Sequence, residues 1–322
     1  MSATDKFLRM GLAVAMFLAV VGVILFVASR FRGRSAERWV ALTFLLPTGL
    51  LVAIGLIYPG LRTIYQSFLD AGGNSFVGLA NYATIFTDSG QLTVLRNTVL
   101  WVVLTPFVAT AIGLLYAILI DKARMEALAK ALIFLPMAIS FVGASIIWKF
   151  VYEFRPDQPG VNQIGLLNQI LVSLGGSPRQ WLLDEPWNTL FLIVVMIWIQ
   201  AGFAMTVLSA AIKAVPEDIV EAARLDGVKR LGMFRYVTLP TIAPAVIVVL
   251  TTIGIATLKV FDIVRTMTGG QFNTSVVANE FYSQSFRSAN QGLGAALATL
   301  LFLLVIPIVA YNVRQLRSTE AR

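Results

Sequence analysis

The chain contains no cysteine and no histidine. Their absence removes thiol chemistry, zinc centres built on Cys or His, imidazole acid–base catalysis and haem ligation through His. The phosphate-cradling pattern G-x-x-x-x-G-K-[ST] is also missing, so the chain does not hold ATP by that device. Charge is scarce: Asp, Glu, Lys and Arg make up 13% of 322 residues, against 57% hydrophobic residues and a mean hydropathy of +0.79. A soluble domain of this size is not so apolar. No internal repeat and no low-complexity tract stands out.

The apolar residues lie in blocks of about twenty, the length of a helix that crosses a bilayer. A membrane β-barrel would show weaker, alternating segments of about ten. Seven spans are expected, at about residues 10–29, 40–60, 97–120, 131–151, 187–212, 241–262 and 292–312. The first follows Lys6 and Arg9 but is longer than the 7–15 apolar residues of a cleaved signal, so it is read as an uncleaved span. The chain is an all-α polytopic membrane protein.

The net charge of +8 is compatible with a nucleic-acid partner, but basic residues gathered in short cytoplasmic loops account for it better. Arg30, Arg32, Arg34 and Arg38 follow the first span, and Lys122, Arg124 and Lys130 sit in the connection 121–130. The segment 213–240 adds further Lys and Arg, and the tail adds Arg314, Arg317 and Arg322. The connections 61–96, 152–186 and 263–291 are longer and poorer in basic residues. The first set faces the cytoplasm, the C-terminus is inside, and seven spans leave the N-terminus outside. In the outer connections Asn81-Tyr82, Trp181, Trp187, Tyr282 and Phe286 offer interfacial anchors, and Gly72-Gly73, Gly175-Gly176 and Gly269-Gly270 mark turns.

One cytoplasmic stretch is charged and helical in pattern: PEDIVEAARLDGVKRLGMFRYVTLP, Pro216 to Pro240. Pro216 suits a helix start, and Glu217 and Asp218 place negative charge where the helix dipole favours it. Ile219, Ala222, Ala223 and Asp226 recur at helical spacing, and Gly227 stands where a C-terminal cap belongs. A second short stretch, Lys229 to Val237, is expected to close at Pro240. Ala222 and Ala223 would let a partner surface approach the backbone, and Glu221, Arg224 and Asp226 would pair with charges on it. The alternative is an amphipathic helix lying on lipid. Such a helix favours Lys, Arg and bulky apolar groups, whereas this one is acidic with alanines at its centre.

Polar groups inside spans are costly unless paired or functional. Before the charged segment these are Gln200, Thr206 and Ser209, with Gly202 leaving room beside them. After it come Thr251, Thr252, Thr257, Lys259 and Asp262, with Gly254. The Ser and Thr hydroxyls have an alternative in bonding their own helix's carbonyls. Lys259 and Asp262, three residues apart, have one in neutralising each other.

Glu221-Ala222-Ala223, three residues, Gly227, nine residues and Val237-x-Leu239-Pro240 closely resemble the E-A-A-x3-G-x9-I-x-L-P loop of binding-protein-dependent ABC importer permeases, with Val237 for Ile as the departure. Phe76-Val-Gly-Leu-Ala-Asn-Tyr82, Lys259-Val-Phe-Asp262, Thr268-Gly-Gly270 and Gly292-Leu-Gly-Ala-Ala-Leu-Ala298 are similar to elements of the sugar permeases of that family, the maltose, α-glucoside and glycerol-phosphate types. The resemblance covers about residues 40–318. It implies a six-helix type I permease core at 40–318, with 1–39 as an extra N-terminal transmembrane helix and basic connection.

The resemblance also implies a role. Segment 214–240, through Glu217, Glu221, Ala222, Ala223, Arg224, Asp226, Gly227 and Pro240, would couple to a cytoplasmic ATPase dimer, which binds the ATP and Mg that this chain does not. A second permease, an external solute-binding protein, a sugar and the lipid of a prokaryotic inner membrane complete the partners. By alignment the substrate path matches Ala201, Gly202, Met205, Thr252, Ile255, Ala256 and Lys259, beside Gln200. Several of these are apolar, where a dense hydroxyl-binding set would carry amides. The chain is then no enzyme. An ion-coupled secondary transporter is the alternative, although Asp262 is the one acid inside a span and no inverted repeat shows. A membrane-embedded enzyme finds no catalytic acid pair, metal site or activated nucleophile.

Overall fold

The computed structural model describes residues 3–31, 36–121, 124–156, 158, 160 and 162–320. Among these the chain is built from helices, with one isolated antiparallel bridge, Leu69 to Phe76. It divides into two compact units, Met1–Tyr65 and Gln66–Arg322. The first holds α1 (Ala3–Ser29) and most of α2 (Glu37–Gln66). Both helices are apolar on all sides, and neither buries any of its apolar window within the chain. That is the pattern of a helix solvated by lipid.

The second unit contains α3 (Ala80–Thr87), α4 (Ser89–Ile120), α5 (Glu126–Ala138), α6 (Phe141–Val151), α7 (Leu166–Ser173) and α8 (Asn188–Lys213). It continues with α9 (Glu217–Leu225), α10 (Arg230–Leu258), α11 (Asp262–Met267), α12 (Val277–Tyr282) and α13 (Gln291–Glu320). Among the described residues six helices are long and apolar enough to cross a membrane, and α5 with α6 makes a seventh if that bent pair counts as one span.

The span expected at 131–151 is therefore not a straight helix: α5 and α6 meet at 102°. Pro136 lies in a 3-10 turn, Leu135–Ala138, where it withdraws an N–H and crowds the preceding turn. Ser140 then restarts the chain as an N-cap, its Oγ accepting from the Gly143 N–H at 3.1 Å.

The core is the crossing of α4, α8 and α10. At its inner half Ala109, Ala117, Ala204, Met205, Leu208, Val249 and Ile253 pack together; at its outer half Trp101, Leu192, Met196, Ile263 and Val264 do so. Small residues set the spacing, as expected where lipid gives no hydrophobic drive between helices. A Cβ on Gly113 of α4 would lie 2.5 Å from the Ala204 Cβ and 2.6 Å from the Met205 N. A Cβ on Gly202 would lie 2.4 Å from the Ile133 carbonyl oxygen of α5.

The stretch Phe76 to Tyr82 folds as a clasp between residues 67–70 and the last span. Asn81 Nδ2 donates to the carbonyls of Ser67 and Leu69 at 2.9 and 2.7 Å, and Ser67 Oγ meets the Tyr82 hydroxyl at 2.7 Å. Asp70 accepts from the Asn74 N–H at 2.8 Å, and the backbone N–H groups of Asn74 and Ser75 hold its carboxyl below the usual carboxylate range. Gly292, at the start of α13, docks on this clasp, since a Cβ there would meet the Leu69 carbonyl at 2.1 Å.

Candidate functional site: the cytoplasmic helix and the spans around it

Residues 216–240 fold as a helix with a defined start and stop. Pro216 is the N-cap of α9, with φ −58° and ψ 134°, and Glu217 and Asp218 occupy the first turn. At the other end the Val228 N–H donates to the Ala223 carbonyl at 3.1 Å and the Gly227 N–H to the Arg224 carbonyl at 3.0 Å. This is the paired bonding of a Schellman cap. Gly227 has φ +78°, and nothing lies within 4 Å of where its Cβ would be. Its glycine is required by backbone conformation, not by crowding.

The second stretch differs from expectation. It is no separate short helix closed by Pro240. Arg230–Leu258 is one helix, and Pro240 lies inside it. The reason is a π-helical turn, Met233–Thr238, whose last bond runs from the Leu239 N–H to the Phe234 carbonyl. The wider turn ahead of Pro240 accommodates the proline without breaking the helix. The same device, Ala53–Ile57, precedes Pro59 in α2. The short helix α9 is thus joined, through one tight cap, to the long apolar helix Arg230–Leu258.

The sequence-predicted coupling residues divide between two faces of α9. Glu217, Glu221 and Arg224, with Val220, line a cavity of about 570 Å³ between α9 and the inner ends of the bundle, opposite Asp121, Glu126 and Lys213. On the bundle side Glu126 accepts from Lys130 at 2.7 Å and from Lys213 at 2.5 Å, tying the start of α5 to the end of α8. Lys130 also meets Ser209 Oγ at 2.5 Å. Asp218, Ala222, Leu225 and Asp226 are exposed and take no part in that cavity. Leu225 is 89% exposed, a leucine standing out of a charged segment that the motif alone did not single out.

The candidate path residues divide as well. Gln200, Ala201 and Met205 are buried within the chain at 8%, 5% and 0% exposure, and Gly202 packs on α5. Thr252 and Lys259 are exposed, and Ile255 and Ala256 are half-buried on the same side of α10. Thr206, Thr251 and Thr257 donate to their own helix, to the carbonyls of Gly202, Ile247 and Ile253. Ser209 instead receives Lys130. Lys259 is the C-cap of α10 and Asp262 opens α11, so neither lies mid-span. They form no ion pair with each other: among the described residues the ion pairs are those of Glu126.

At the opposite end of the bundle the loop after α11 is held by side chains far away in sequence. Asn97 Nδ2 donates to the carbonyls of Asn273 and Ser275 at 2.6 and 3.0 Å, and Asn188 Nδ2 donates to that of Phe272 at 2.7 Å. Thr98 Oγ1 accepts from the Val277 N–H at 3.0 Å. Asn97, Thr98 and Asn188 are buried, and sequence reasoning did not pick them out. Their one signal was an amide or hydroxyl at the outer rim of an otherwise apolar span.

The second unit is thus an all-helical multi-span core with a capped short helix feeding directly into a long apolar one. The family model described as "Binding-protein-dependent transport system inner membrane component" matches residues 11–318, and the chain belongs to that family. It is 47% identical over 277 residues to the osmoprotective compounds uptake permease protein GgtC of Synechocystis sp., covering 86% of this chain and 99% of the relative. It is 44% identical over 272 residues to the alpha-glucoside transport system permease protein AglF of Rhizobium meliloti, covering 84% and 80%. A chain from the crystal structure of a bacterial ABC transporter that imports alginate superposes with a TM-score of 0.74 at 22% identity, over 88% of this chain and 97% of that one. The fold is that of a type I ABC importer permease, and the ion-coupled alternative finds no support.

Proposed function

We infer that this chain is the permease subunit of an ATP-driven importer of a sugar, an oligosaccharide or related polyol, and that α9 is the helix through which a separate cytoplasmic ATPase dimer drives it. The observation that carries this reading is the Schellman-capped α9 joined to the unbroken helix Arg230–Leu258. A displacement applied to such a helix reaches the span, whereas a slack loop absorbs it. ATP and Mg belong to the ATPase, and this chain needs no cofactor of its own.

In this reading the ATPase meets the exposed face of α9, at Ala222, Leu225 and Asp226. Glu217, Glu221 and Arg224 face the cavity above and set the resting position of the helix. Gly227 fixes the turn, and Pro240 with its π turn keeps the connection helical. A second permease and an external solute-binding protein complete the assembly, and the C-terminus of α13 is cytoplasmic. Residues 40–318 form the importer core, with 1–39 as an added span. Relatives named for osmoprotective compounds and α-glucosides support a small neutral, hydroxyl-rich substrate. Thr252, Ile255, Ala256 and Lys259 line its path on α10, while Ala201, Gly202 and Met205, with Gln200 beside them, hold α8 at the right spacing.

Affinity co-purification in mild detergent tests this. Wild-type chain should bring down an ATPase, identified by mass spectrometry and by ATP hydrolysis. Ala222→Arg with Leu225→Asp should lose it while still inserting, and Glu217→Gln should keep it. No ATPase with the wild type, under conditions that keep related importers intact, would return α9 to a lipid-surface helix.

A further inference from the structure

Beside α6, facing away from the cytoplasmic end of the bundle, lies a cavity of about 310 Å³. Its walls combine the rings of Phe154, Trp181 and Phe272 with the polar ends of Lys149, Glu153 and Gln180. Nothing in the coupling or path residues uses it.

The rings are held in place by buried groups. Trp181 Nε1 donates to Asn168 Oδ1 at 3.0 Å and packs edge-on against Phe191 at 5.0 Å. Asn168 is fully buried and closes the loop around itself: its Nδ2 donates to the carbonyls of Glu153 and Arg179, and its Oδ1 also accepts from the Arg179 N–H. Tyr152, 3% exposed at the base, donates from its hydroxyl to the Phe191 carbonyl at 3.0 Å. Phe272, at the opposite wall, is 46% exposed at φ +56°, with its carbonyl fixed by Asn188. Trp181 is thus one wall of a preformed pocket.

We propose that this cavity binds a pyranose ring of the transported sugar at the extracytoplasmic face, ahead of the path along α10. A sugar ring presents an apolar C–H face and a rim of hydroxyls. Aromatic faces cover the first, and an amide, a carboxylate and an ammonium satisfy the second, each able to give or take the hydrogen bonds that hydroxyls offer. The cavity, at about 310 Å³, sits at the lower end of the roughly 300–1,000 Å³ of small-molecule pockets, which suits one or two rings of a sugar. The fixed rings lower the ordering cost of binding, as preorganised sites do. This inference rests on the sugar-permease reading and on 152–186 lying outside.

The test is saturation-transfer NMR with maltose, trehalose and sucrose on the full chain in nanodiscs whose lipids carry no sugar headgroup. Wild type should give saturation transfer for at least one of them. Phe272→Ala and Gln180→Ala should each weaken that sugar about tenfold, the size of one lost stacking or hydrogen-bond contact. Phe272→Trp should restore it, and Leu174→Ala, at an exposed position outside the cavity, should leave it unchanged. Binding that ignores Phe272 and Gln180 overturns the pocket. So does the absence of any signal when cells carrying the whole transporter still take up one of these sugars. If such cells take up no sugar at all, the sugar reading itself fails with it.

Discussion

The two ends of the second unit are held in opposite ways. At one end α9 touches the bundle across a cavity of about 570 Å³ and is stabilised by its own backbone caps. At the other end the loop from Thr268 to Val277 is locked by buried Asn97, Thr98 and Asn188, which reach it from two different spans. The first arrangement makes a rigid piece free to move as a whole. The second makes an irregular segment that cannot move without breaking buried hydrogen bonds. In the proposed importer this asymmetry would supply a lever where force enters and a fixed frame where substrate is received.

The comparison can be broken at either end. The largest effect is expected from Gly227→Val, which forces a β-branched residue to φ +78°. Transport should fall at least about tenfold with the protein still inserted, because the cap costs more than about 1.4 kcal/mol to form with that residue. ATP-dependent uptake in cells, normalised to membrane-inserted protein, reads this directly.

Next comes the frame. Gly113→Ala would place a Cβ 2.5 Å from Ala204, so α4 and α8 must separate. Overpacking of this kind costs about 1–3 kcal/mol and should lower the thermal unfolding midpoint in detergent. Asn97→Ala strands two loop carbonyls that it now satisfies, at about 1–3 kcal/mol. It should also raise hydrogen exchange across 270–277 while leaving α9 unchanged. Exchange rising equally in both regions would mean that the two ends are not held independently.

The smallest effect is expected from Lys213→Met. Lys213 is 50% exposed and shares Glu126 with Lys130, so losing it should leave the thermal unfolding midpoint nearly unchanged. A small gain in flexibility of α9, seen as faster exchange at 217–225, would show the cavity wall loosening.

Much of the lever was legible from sequence because its information is local. Pro216, the acidic first turn, the alanines and Gly227 are neighbours in the chain, and each has one structural meaning at its position. Even so, the pattern hid which face each charge takes, and it misread Pro240 as a stop, since a π turn leaves no compositional mark. The spans were legible by length, but the 102° bend between α5 and α6 was not, although Pro136 and Ser140 supply its causes. The frame was almost invisible. Asn97 and Asn273 lie 176 residues apart, and nothing in a single chain's pattern says that one amide completes the other's loop.

The absence of native cysteine in this chain lets two thiols be introduced into it at chosen positions. In the transporter assembled with its partners in cysteine-free form, spin labels at Ile219→Cys and Arg124→Cys report the lever, and labels at Gln271→Cys and Leu92→Cys report the frame. On adding ATP, the distance between the first pair should shift with its distribution remaining narrow, while that between the second pair stays fixed. A lever distance that does not change, or that merely broadens, would contradict α9 as a rigid coupling element.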